Sequence, residues 1–91
     1  MAEVVRDFDD LFRDGDTRYR ARVVAASCQG TTWQGWIEFI PTGGGAPCRT
    51  DRETVQPDRH AVVYWAEGLE PLYLDGAFER ACRSAKVSAP A

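Results

Sequence analysis

The sequence predicts an α+β fold, in which a three-stranded antiparallel meander packs against two C-terminal helices. Residues 17–27 and 31–41 alternate between polar and apolar side chains with the period of a strand, and two later segments carry apolar residues at helical spacing. A chain of 91 residues has the length of one domain. We assign residues 1–85 to that domain and expect residues 86–91 to be a frayed tail.

Residues 31–41 have the clearest strand pattern and are expected to form the central strand. Side chains alternate between the two faces of a strand. One face is apolar enough for the core and carries Trp33, Gly35, Ile37 and Phe39. The other face is amphipathic and carries Gln34, Trp36, Glu38 and Ile40.

The flanking segments are expected to pair with this central strand on either side. Residues 17–27 precede a short turn that contains Gly30, which indicates an antiparallel hairpin. A simple register places Arg20 or Arg22 on the same face as Trp36 and Glu38. The polar segment 48–56 is typical of an edge strand, where charged side chains oppose pairing with another chain. The glycine-rich segment 41–47 lies between the central strand and segment 48–56. It has no GK[ST] or GxGxxG motif, so we interpret it as a hairpin loop rather than a phosphate loop.

Two C-terminal helices follow from their start signals and apolar stripes. Pro57 and Pro71 suit first helical positions. The first stripe is Val62, Trp65, Ala66 and Leu69, and the second is Leu74, Phe78, Ala81, Cys82 and Ala85. The alternative makes 61–64 and 72–74 strands, because Val-Val-Tyr-Trp has high β propensity. That alternative gives a small, mostly-β SH3-like barrel with a short C-terminal helix.

The N-terminal segment has two possible structures. Its apolar residues have the spacing of one helical face: Val4, Val5, Phe8, Leu11 and Phe12. This spacing favours a helix over residues 1–13 that lies over or beside the Trp36 face. In the alternative, Asp14-Gly15 forms a hairpin turn that pairs 11–13 with 17–19.

Composition narrows the classes of partner and the cell compartment. The net charge of −3 argues against non-specific binding to nucleic acids and anionic membranes, which needs a basic surface. No apolar run approaches the length of a membrane span, and the acidic N-terminus is unlike a signal peptide. Three widely spaced cysteines do not form a disulfide framework. We therefore expect a cytosolic protein with reduced thiols.

The sequence contains no recognisable catalytic or metal-binding constellation. His60 and the three cysteines stand alone, whereas zinc ligands normally occur in closely spaced pairs. Glu38 could act in acid–base chemistry, but a lone carboxylate without a second acid or a nucleophile does not define an active site. We predict no catalytic residue, no metal and no cofactor.

The predicted function is a small protein-interaction or regulatory module that binds through the Trp36 face. The predicted binding residues are Trp36, Glu38, Arg20, Arg22 and Gln34. They combine aromatic and arginine side chains as interface hot spots do. The partner would be a protein or a second copy of the chain. Whether Trp36 is covered by its own chain stays open.

Two alternative functions use other features of the sequence. A small-ligand-binding protein or enzyme could use an aromatic pocket between the sheet and the helices, lined by Trp33, Tyr64, Trp65 and Tyr73. Single-stranded nucleic acid could stack on the sheet, although the acidic composition disfavours it. An outer strip of Tyr73, Ala77 and Arg80 on the second helix is a further candidate contact surface.

Overall fold

A computed structural model describes residues 2–88, with side chains to residue 84, and confirms the α+β class. The strands are β1 (Ala2–Asp14), β2 (Thr17–Ser27), β3 (Trp33–Pro41), β4 (Cys48–Arg49) and β5 (Thr54–Gln56). The helices are α1 (Arg59–Glu67) and α2 (Pro71–Ser88). Residues 86–88 of the expected tail belong to α2, and residues 89–91 lie outside the described part of the chain.

The sheet is antiparallel and β3 lies inside it, as its pattern predicts. The strand order is β1-β2-β3-β4, and β5 pairs with the start of β3, where Trp33 lies opposite Gln56. The predicted third strand is therefore divided in two by residues 50–53. This segment stays attached to β3, because the buried Thr50 hydroxyl accepts a hydrogen bond from the Ile37 N–H at 3.1 Å.

The predicted N-terminal helix is wrong, because residues 2–14 form β1, a long edge strand. The Asp14-Gly15 turn pairs Phe12 with Tyr19, and Gly15 adopts a φ of 63° that suits glycine. Register shifts interrupt β1 between Val4 and Arg6 and between Asp7 and Leu11. Because of these bulges the apolar residues fall on both faces of the strand, and their combined spacing resembles that of a helix.

Both C-terminal helices are present, so the SH3-like barrel alternative does not apply. The side chain of Asp58 caps α1 by accepting a hydrogen bond from the Ala61 N–H at 2.9 Å. The helix packs on β3 at Gly35, where an added Cβ would lie 3.0 Å from Val62 Cγ1. Within residues 2–88, neither helix is long and apolar enough to cross a membrane.

The main core lies between the helices and one face of the sheet. Its buried side chains come from all the larger elements: Phe8, Phe12, Ala21, Val23, Ile37, Phe39, Cys48, Ala66, Leu74, Ala77 and Ala81. Ala77 is therefore a core residue, so the predicted outer strip of α2 is wrong at that position. Trp33, at the start of β3, is only half-buried.

The other face of the sheet is not covered by any element within residues 2–88, and we call it the open face. A small buried cluster of Val24, Ala26 and Trp36 lies on it. β1 lies beside β2 in the sheet and not over this face. Contacts from Arg6 to the Ala66 carbonyl and from Arg59 to Glu3 attach β1 to α1 on the helix side.

Candidate interaction site

The structure brings the five predicted binding residues to the open face. Arg22 lies opposite Glu38 in the β2–β3 register, and Trp36 lies opposite Val24. Arg20 and Gln34 lie on the same face, next to the ends of this cluster. The sequence pattern therefore placed these side chains correctly relative to one another, because alternation fixes faces once two strands pair.

Glu38 is the centre of a hydrogen-bonded network. Nε and Nη2 of Arg22 donate to Oε1 of Glu38 at 3.0 and 2.8 Å. The indole Nε1 of Trp36 donates to the other carboxylate oxygen at 3.0 Å. Burial alone raises the pKa of Glu38, but hydrogen bonds from Trp36 and Arg22 and the nearby guanidinium charges outweigh it, so the pKa lies below its ordinary value.

Trp36 is covered by its own chain. Only 6% of the residue is exposed, and it packs with Val24 and Ala26. The guanidinium of Arg49, from β4, lies 4.2 Å from the ring centroid in cation–π geometry. Trp36 therefore stabilises the open face, and its ring does not offer a free stacking surface.

The opposite end of the face, at the β1–β2 hairpin, holds three arginines that pair with no other described residue. Arg13 lies directly opposite Arg18, and Leu11 lies opposite Arg20. The side chains of Arg13, Arg18 and Arg20 form no ion pair or hydrogen bond with another described residue. Leu11 lies on the same face as these arginines and is 52% exposed. We call Leu11, Arg13, Arg18 and Arg20 the hairpin patch.

Sequence reasoning missed Leu11, Arg13 and Arg18 as site residues. The predicted N-terminal helix removed the first two from the sheet, so the cluster could not be recognised. The Asp14-Gly15 turn was the signal that could have found them, since it fixes the register that sets Arg13 against Arg18.

The open face is basic although the chain is acidic. Among the residues whose face is fixed by strand pairing, five arginines and two carboxylates lie on the open face, so these residues have a net charge of +3 against −3 for the whole chain. These residues are Arg13, Arg18, Arg20, Arg22, Arg49, Asp7 and Glu38. The overall charge therefore conceals a local surface of the opposite sign.

The aromatic pocket expected between the sheet and the helices is not formed by the four predicted side chains. Tyr64 is 77% exposed, whereas Trp65 packs against the core. The Tyr73 hydroxyl donates to Glu53, which also accepts a hydrogen bond from Arg80 at 2.7 Å. A shallow cavity of about 390 Å³ instead lies beside the hairpin patch, with Arg20, Arg22 and Asp7 in its lining.

No cluster of three metal-ligating side chains occurs among the described residues. No protein-family model, curated protein or solved structure matches this chain. What points to a function is therefore the chemistry of its surfaces.

Proposed function

We propose that the chain is a small protein-interaction module that binds an acidic protein surface through the open face. The supporting observation is the hairpin patch, in which an exposed leucine is accompanied by three arginines that pair with no other described residue. Like charges placed directly opposite each other on neighbouring strands are unfavourable. A partner that supplies carboxylates would relieve this repulsion, and it would bury Leu11 at the same time.

An acidic protein fits this face better than a nucleic acid does. Binding of single strands relies on exposed rings that stack on bases. Trp36 is the aromatic residue of the open face within residues 2–84, and its ring lies under Arg49. The exposed apolar residues of the face, Val4, Leu11 and Val55, are suited to protein contacts instead.

We further propose a regulatory role in the cytosol. In this proposal the chain would change the activity of its partner by binding to it. The cytosolic location is supported by the cysteines, because three thiols at distant sequence positions are not typical of a secreted, disulfide-stabilised domain.

Photo-crosslinking tests whether the open face binds a partner. A photoreactive amino acid replaces Leu11 in one variant and Arg83, on the exposed surface of α2, in a matched control. We expect adducts to an acidic protein from position 11 and none from position 83. Arg20→Glu should abolish the adduct, whereas Arg83→Glu, which changes the net charge equally, should not.

Three results would contradict the proposal. The first is an absence of adducts at position 11 in the native cell extract. The second is an adduct that nuclease removes, which would identify a nucleic acid as the partner. The third is an adduct that Arg20→Glu leaves unchanged, because the arginines would then have no part in binding.

A further inference from the structure

A second exposed surface lies where α1 meets α2. Leu72 is 82% exposed, Tyr64 77% and Tyr73 40%, and these are large apolar or aromatic side chains. A shallow cavity of about 380 Å³, lined by Gly68, Leu69, Glu70, Leu72 and Tyr73, opens at the same junction. Tyrosine is enriched at interface hot spots, and exposed apolar patches mark interaction sites.

Two exposed carboxylates flank these apolar side chains. Glu67 and Glu70 are exposed, and their side chains form no ion pair or hydrogen bond with another residue in the described part of the chain. We call Tyr64, Glu67, Glu70, Leu72 and Tyr73 the helix corner. Its apolar side chains and two negative charges make it the counterpart of the hairpin patch, which combines an apolar side chain with three positive charges.

We infer that the acidic partner of the hairpin patch is a second copy of this chain, bound through its helix corner. The inference rests on the proposed function of the open face. Opposite charges on the two surfaces make such a contact complementary, and complementarity sets both the orientation of a complex and its rate of formation. Leu11 of one copy would contact Leu72 and the two tyrosines of the other.

The placement of the two surfaces makes the contact intermolecular. The hairpin patch belongs to the open face, whereas α1 and α2 pack on the opposite face of the sheet. A chain therefore cannot bring its own helix corner against its own hairpin patch. Because the two surfaces lie on opposite faces of the sheet, two copies cannot form both contacts with each other at once. The contact is therefore heterologous, and it produces rings or open chains of molecules rather than a two-fold dimer.

Sedimentation velocity on the full chain tests this inference. The average mass of the wild-type protein should rise above the 10.1 kDa of the monomer as its concentration increases. It should fall again between about 0.1 M and about 1 M NaCl, because the Debye length shrinks from roughly 10 to roughly 3 Å. Arg83→Glu is the charge-matched control and should associate like the wild type.

Two variants, each with one of the two surfaces disrupted, test which surfaces form the contact. Arg20→Glu disables the hairpin patch, and Leu72→Arg disables the helix corner; both positions are exposed, and circular dichroism checks that each variant is folded. Alone, each variant should associate at least about tenfold more weakly than the wild type. In their equimolar mixture, the Arg20→Glu chain supplies an intact helix corner and the Leu72→Arg chain supplies an intact hairpin patch. The mixture should therefore form a dimer of twice the monomer mass that cannot add a third chain.

The possible failures are distinguishable. A wild-type chain that stays monomeric at every concentration overturns the inference, as does a mixture of the two variants that fails to dimerise while the wild type associates. If position 11 then crosslinks to a different acidic protein, the inference fails and the proposed function stands. If position 11 forms no adduct of any kind, both fail.

Discussion

The two ends of the open face use the same residue type in opposite ways. At one end, Arg22 and Arg49 are each bound to a partner, the first to Glu38 and the second to the ring of Trp36. At the hairpin end, Arg13 and Arg18 lie directly opposite each other and no carboxylate among the described residues pairs with them. Arg22 and Arg49 therefore stabilise the fold, whereas the arginines at the hairpin end are accessible to a partner.

This difference also answers a question that the sequence leaves open for Trp36, one of the predicted binding residues: whether its own chain covers it. The structure buries the ring beneath Arg49, so the end of the face that holds Arg22 and Arg49 is a small second core. A partner would be recognised by the hairpin end, where charge and apolar surface are both exposed.

Trp36→Ala, at the end of the face that holds Arg22 and Arg49, should have the largest effect on the stability of the fold. Replacing a buried aromatic residue with alanine costs about 3–5 kcal/mol in a closed core, and we expect the lower part of that range here because the ring lies at a sheet surface. Urea denaturation monitored by circular dichroism measures the loss of unfolding free energy. A change below about 0.5 kcal/mol, the usual size for surface substitutions, would show that Trp36 is not part of a core.

Glu38→Ala should have the next largest effect, a loss of about 1–3 kcal/mol. The substitution leaves the Trp36 N–H and the Arg22 guanidinium without their shared acceptor, and an unsatisfied buried donor costs about this amount. Glu67→Ala is the matched control on the exposed side of α1, and it should change stability by less than about 0.5 kcal/mol. Equal effects of the two substitutions in urea denaturation would contradict the structural role of the Glu38 network.

The same network predicts how stability depends on pH. The pKa of Glu38 is below its ordinary value of 4.5 in the folded chain, because hydrogen bonds and nearby guanidinium charges outweigh the effect of burial. Its contribution is therefore complete above about pH 4.5 and is lost as the pH falls through the lower, folded-state pKa. Thermal unfolding followed between pH 7 and pH 3 should show a decline below pH 4.5 that is smaller in Glu38→Gln. An identical decline in the variant would place the acid sensitivity elsewhere.

How far the sequence predicts this molecule depends on how local each feature is. Strands β2 and β3 and both helices follow from periodicity, and so does the shared face of Arg22, Trp36 and Glu38. Strand β1 does not, because its two bulges give the apolar residues a helical spacing. The stacking of Arg49 on Trp36 depends on a two-residue strand whose register is set by pairing with β3, and no local pattern encodes it.

Arg18→Glu should have the smallest effect, and an effect of the opposite sign. It converts the cross-strand Arg13–Arg18 repulsion into an opposite-charge pair, which should stabilise the chain by roughly 0.2–1 kcal/mol. The same variant should lose photo-crosslinking from position 11, because the basic surface is disrupted. A gain in melting temperature together with a loss of binding is the result expected of a residue kept for recognition.

Arg22→Glu is the comparison from the paired end, where the substitution faces Glu38 and should lower stability. If Arg18→Glu destabilises the chain as Arg22→Glu does, then Arg18 contributes to the fold and the two ends of the face do not differ.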